Sequence, residues 1–205
     1  MRRSQTDVSP DILTTYFNNI LPLSAEEVAW VAASFHARLY RKKQYVLQEG
    51  DSCLHFNFVV RGCLRLYKID EKGAIHTLQF APENHWISDL GSFHGLKPTA
   101  LSIDALEDTV VLQITRDELV RLYEKSVRLN RIFRVLVENA FINLQERLLH
   151  NISSTAEHRY QAFLDRYPEL SARLSQVQIA SYLGVTPEFL SRLRNQKAKQ
   201  GSDNS

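Results

Sequence analysis

Two hydrophobic periods alternate along this chain, and their order predicts its architecture. From Pro10 to about Phe35 the apolar positions recur at helical spacing. Ile12, Tyr16, Phe17, Ile20 and Leu21 form one face; Val28, Val31 and Ala32 form another after a break at Pro22. Between Arg38 and Thr115 the period changes. The runs Tyr45–Leu47, Phe56–Val60, Leu64–Ile69, Thr77–Phe80, Ser102–Ala105 and Val110–Ile114 alternate with polar residues, and Gly50, Gly62, Gly73, Gly91 and Gly95 punctuate them. Many short strands with regularly spaced turns predict a β-sandwich or barrel-like roll.

Helical spacing returns after Thr115. Asp117–Tyr123 reads as a short helix, and Leu129–Leu149 as one long helix with a broad apolar stripe. About 20 helical residues extend ~30 Å, more than a small roll can cover. The stripe therefore predicts pairing with a second copy of the chain through Phe133, Leu136, Val137, Ala140, Phe141, Leu144 and Leu148. Asn151–Thr155 reads as a hinge, Ala156–Tyr167 as a further helix stopped at Pro168, and Leu170–Leu174 as the approach to the last segment. Residues 1–10 and the tail Gly201–Ser205 read as loose.

That last segment, Ser175–Asn195, reads as two short helices joined by a tight turn. Ile179, Ala180 and Leu183 make an apolar stripe on the first, Leu190 and Leu193 on the second. Gly184 stands where the chain must reverse, since glycine accepts the left-handed backbone that ends a helix. Thr186 can cap the second helix, and Pro187 fits its first position, where no N–H is needed. Glu188, Ser191, Arg192 and Asn195 then face outward at i, i+3, i+4 and i+7, a polar strip of the kind that enters a DNA major groove.

Composition narrows the function classes. The 205 residues are 44% hydrophobic and 23% charged, as in a globular protein with a real core. No run is apolar and long enough for a membrane span, and no secretory h-region opens the chain, so a cytoplasmic location is expected. Cys53 and Cys63 are too few for a four-thiolate metal or iron–sulfur site and are expected as buried thiols on neighbouring strands. The formal net charge is only +2, but residues 155–205 carry seven basic and five acidic side chains and so account for all of it. The placement favours an anionic partner at that end.

The order of elements, together with Tyr45-Val-Leu-Gln-Glu-Gly50-Asp51 and Phe58-Val-Val-Arg-Gly62, resembles the Crp/Fnr family of bacterial transcription regulators over residues 12–198. The resemblance implies an α+β chain in three parts. Residues 1–124 would form a double-stranded β-helix or jelly-roll of cyclic-nucleotide-binding type, 125–152 a dimerisation helix, and 153–205 a helix-turn-helix domain. It also implies a homodimer bound to double-stranded DNA, RNA polymerase as a further partner, and a phosphate-binding cassette within Ser88–Ala100.

The cassette departs from the family pattern. Ser88-Asp89 stands where a Gly-Glu pair would hold the ribose, and Thr99-Ala100 where an Arg-Ser or Arg-Thr pair would hold the phosphate. Each lost charge-assisted bond is worth roughly 1.5–3 kcal/mol, so cyclic nucleotide is disfavoured and no cofactor is expected. Backbone N–H groups from Leu90 through Gly91 to Ser92 would still favour an anion. At the DNA end the family's Arg-Glu-x-x-x-Arg pattern keeps Glu188 and Arg192, with Pro187 in place of the first Arg. Arg192 is expected on guanine and Glu188 on cytosine, with Gln176, Thr186, Ser191, Arg194, Asn195 and Lys197 toward phosphates. The β-hairpin wing usual after the recognition helix is not expected.

Two other classes remain open on sequence alone. One is a cyclic-nucleotide or small-anion sensor whose helix pair binds protein rather than DNA. The other is a cupin-like metalloenzyme, for which His36, His55, His76, His85 and His94 lie in or near the roll. That site needs a His-x-His pair, and the sequence has none; nor has it a Gly-x-Ser-x-Gly, Walker or dinucleotide signature.

Overall fold

The computed structural model describes residues 11–202, with side chains to residue 196. The expectations for residues 1–10 and 203–205 lie outside the described residues, whereas Gly201 and Ser202 continue the last helix.

Two short helices open the chain, α1 (Asp11–Asn18) and α2 (Ala25–Ser34). Ser24 caps α2 through a reciprocal capping box: its hydroxyl accepts from Glu27 N, and the Glu27 carboxylate accepts from Ser24 N. Eight strands follow: β1 (His36–Tyr40), β2 (Tyr45–Leu47), β3 (His55–Arg61), β4 (Leu64–Ile69), β5 (Ile75–Ala81), β6 (Trp86–Ile87), β7 (Ser102–Ala105) and β8 (Thr109–Thr115). They form two four-stranded sheets, in the orders β1-β8-β3-β6 and β2-β7-β4-β5. Every recorded pairing is antiparallel. Gly62 ends β3 at φ +95°, and a Cβ there would come within 2.7 Å of the Thr109 backbone, so only glycine fits that turn.

Helix α3 (Leu90–Gly95) interrupts the strands between β6 and β7. The chain then continues helically through α4 (Arg116–Lys125), α5 (Val127–Ser153), α6 (Ala156–Arg166), α7 (Leu170–Arg173), α8 (Gln176–Leu183) and α9 (Pro187–Ser202). Contacts cluster into two compact units, one of residues 1–68 and 78–139, the other of residues 69–77 and 140–205. The division falls inside α5.

Within the first unit, inward residues of both sheets (Leu47, Leu64, Leu66, Ile103, Val111, Leu112) share one core with Phe17, Val31 and Phe133. Aromatic rings cluster around Trp86: Phe17 stacks on it at 6.0 Å and Phe133 meets it edge-on at 5.6 Å. Arg65 and Asp104 form a bidentate pair between β4 and β7, with bonds of 3.0 and 2.7 Å. In the second unit Tyr160, Phe163, Leu170, Leu174, Ile179, Ala180, Leu183, Leu190 and Leu193 are buried.

Strands β1 and β6 went unpredicted. The first three residues of β1 are exposed and carry no apolar alternation, and β6 has only two residues. Cys53 and Cys63 are buried thiols, but they sit just outside the strands rather than on neighbouring ones.

Candidate functional site

The predicted turn of the helix pair forms as its residues require. Gly184 ends α8 in the left-handed conformation at φ +68°. Thr186 Oγ1 accepts from Phe189 N at 3.2 Å and so caps α9, and Pro187 takes the first helical position. Sequence reasoning missed a second cap. Ser175 closes the start of α8 with Gln178 in a capping box, legible in the spacing Ser175-x-x-Gln178.

Leu190 and Leu193 turn inward, toward the same core as Ile179, Ala180 and Leu183. This leaves Glu188, Arg192, Arg194 and Asn195 exposed on α9, with Ser191 half-buried among them. Thr186 and Gln176 are exposed as well, and Pro187 is half-buried. The side chain of Lys197 lies outside the described side chains. The Arg192 guanidinium carbon stands 5.9 Å from the Phe189 ring centroid, so a ring that sequence reasoning ignored lies against the arginine expected to read DNA.

The stripe on α5 divides. Val137, Ala140, Phe141, Leu144 and Leu148 are exposed as expected, and Ile142, Leu149 and Ile152 add further exposed apolar surface. Phe133 does not belong with them. It is 1% exposed and packs edge-on against Phe17 and Tyr123 as well as Trp86, so it serves the roll's core and not a surface seam. Leu136 is half-buried against that same core and contributes little to a free face.

At the cassette the structure replaces one expectation with another arrangement. The N–H groups expected to be open to an anion are held from within: Asp89 Oδ1 accepts from Gly91 N at 3.0 Å and Ser92 N at 3.3 Å. Thr99 Oγ1 donates to Asp89 Oδ2 at 2.5 Å and accepts from Leu101 N. Ser88 and Thr99 are buried, while Leu90, Gly91 and Ala100 are exposed. Ser92 Oγ donates to Lys97 O and accepts from Cys53 N, which braces α3 against the β2–β3 loop. Asp89 and Thr99, singled out from sequence as possible ligands, thus meet each other.

Among the described residues no group of three or more His, Cys, Asp or Glu is placed to hold a metal ion. No helix among them is long and apolar enough to cross a membrane.

Residues 37–126 match the cyclic nucleotide-binding domain family. Among curated proteins, the chain is 29% identical over 175 residues to "Regulatory protein HlyX" of Actinobacillus pleuropneumoniae, covering 78% of this chain and 71% of that one. It is 28% identical to an "Anaerobic regulatory protein" of Aggregatibacter actinomycetemcomitans, covering 78% of this chain and 66% of that one. Among solved structures, FixK2 from Bradyrhizobium japonicum superposes with a TM-score of 0.73 at 22% identity, over 82% of this chain and 86% of that one. The relatives are named as regulators and not as enzymes, and the roll, long helix and terminal helix pair follow the same plan. The roll matches the cyclic nucleotide-binding domain family, and the chain as a whole is similar to these regulators in sequence and to FixK2 in fold.

Proposed function

We propose that the chain is a homodimeric, sequence-specific DNA-binding transcription regulator whose α9 helices enter successive major grooves. The observation that carries this reading is the exposed strip on α9, with Glu188 and Arg192 one turn apart above a fully buried Leu190–Leu193 stripe. Arg192 suits a bidentate contact to guanine, Glu188 accepts from cytosine, and the surrounding polar groups suit phosphates. Pairing through Val137, Phe141, Leu144 and Leu148 would relate two such strips by a twofold axis. Half-sites one helical turn apart, ~34 Å, follow. Contact with RNA polymerase is part of the same reading.

The roll is read as a cyclic-nucleotide-type domain that does not take a cyclic nucleotide. Its own Asp89 carboxylate occupies the hydrogen bonds that an incoming phosphate would need, and Thr99 supplies no positive charge to outbid it. Two negative groups cannot share that cradle.

The test is selection of bound sequences from random duplex DNA by the purified full chain, followed by mobility shifts on the selected site. The reading predicts near-palindromic sites with half-sites one turn apart. Absence of any enriched sequence would refute it and favour a module that binds protein.

A further inference from the structure

The roll contains a cavity of about 380 Å³ that none of the features above uses; it lies between β1, β2 and the start of β3. Its floor is buried: Tyr40, Leu47, Cys53, Asn57 and Ile103. Arg38 and Asp51 are exposed on its rim, and the Arg38 guanidinium stands 4.9 Å from the Tyr40 ring centroid. A volume of this size, lined in similar measure by polar and apolar surface, is that of a small-molecule site.

Asn57 gives the cavity its polarity. The residue is 1% exposed, and its Nδ2 donates to His55 O at 3.3 Å and Ile87 O at 3.4 Å. Those two carbonyls fix the amide orientation, because Oδ1 cannot replace a donor there. Oδ1 is thereby the group left over, and among the described residues it accepts no hydrogen bond. A buried acceptor in that condition favours any occupant that brings a donor. His55, also on the lining, has its pKa lowered by burial and by the charge of Arg38. Both effects oppose a second positive charge on the lining.

We propose that this cavity binds a small hydroxy monocarboxylic acid, its carboxylate on Arg38 at the rim and its hydroxyl donating to Asn57 Oδ1 at the floor. Asp51 on the rim repels a second carboxylate, which selects monoacids over diacids. The occupant would touch the cassette's support directly. Cys53, on the floor, donates its N–H to Ser92 Oγ at 2.9 Å, and its Sγ lies 3.2 Å from Ser88 Oγ. Both serines flank Asp89 and the start of α3. The proposal stands independently of DNA binding by α9.

The test uses the full chain and matched probes: glycolate, 4-hydroxybutanoate and 6-hydroxyhexanoate against acetate, butanoate and hexanoate. Amide shifts in two-dimensional NMR follow each titration. At least one hydroxylated acid is expected to bind roughly tenfold tighter than its parent, the worth of one buried hydrogen bond. Its shifts should centre on Cys53, Asn57 and Ser92. Arg38→Gln, a change at an exposed position, should weaken both members of the pair by a similar factor, and Asn57→Leu should erase the difference between them. If Asn57→Leu fails to fold, the paired comparison on the wild type and Arg38→Gln decides alone. Equal binding within every pair, shifts mapping elsewhere, or no saturable probe would overturn the proposal and leave the cavity to ordered water.

Discussion

Phe133 and Phe141 sit on one helix, eight residues apart, and truncating each should have opposite consequences. Phe141 is 58% exposed, with Leu144 and Leu148 close to the same value. Burying a whole Phe side chain is worth roughly 2–3 kcal/mol, so pairing α5 with its twin would gain a little over half of that at Phe141. A twofold dimer contains the residue twice. Phe141→Ala should therefore cost about 2–3 kcal/mol of association, a weakening of roughly 30- to 150-fold in Kd, while the fold of each subunit is unchanged. Phe133 is already buried within its own subunit, and Phe133→Ala should instead cost about 3–5 kcal/mol of folding stability. Sedimentation equilibrium measures the first and urea unfolding the second. Unchanged association for Phe141→Ala, with the wild type dimeric, would refute the placement of the seam.

Two further perturbations test the roll. Asp89→Ala removes the carboxylate that caps α3 and holds Thr99, and should cost about 1 kcal/mol in chemical unfolding; an unaltered midpoint would show that those bonds contribute nothing. Calorimetry of the wild type with cyclic AMP or cyclic GMP should show no binding at micromolar concentration, and a tight isotherm would overturn the self-filled cassette. The third concerns pH. Burial pushes Glu27 up, but bonds from Ser126 and Ser24 and the charge of Arg128 outweigh it and hold its pKa below the ordinary 4.5. A lowered folded-state pKa adds stability above the unfolded value that is lost as pH falls through the folded one. The stability advantage of the wild type over Glu27→Gln should therefore shrink below about pH 4.5. An advantage that grows with acid would contradict the sign.

Much of this molecule was readable in advance, for physical reasons that differ from place to place. The helix pair was legible because local chemistry specifies it: Gly184, Thr186 and Pro187 each have one backbone task there, and each performs it. Most strands were legible from alternation, yet β1 hides because His36-Ala37-Arg38 is exposed and becomes a strand by pairing with distant β8. The stripe on α5 was visible as a whole, but periodicity cannot show where it stops serving the roll and starts facing solvent. That handover falls between Phe133 and Val137. Asp89 was read as standing where the family's carboxylate would hold a ribose. The hydroxyl it found was Thr99, ten residues away, and only a folded loop brings the two together.

The most direct test of the central claim is base preference. Binding affinities should be measured for the wild type and Arg192→Ala on the selected operator and on its set of single-base variants, at one fixed salt concentration. A side chain that reads a guanine edge predicts a loss of roughly 1–3 kcal/mol per contact and relaxed choice at one position in each half-site. A uniform weakening across all variants, with base preference intact, would contradict it.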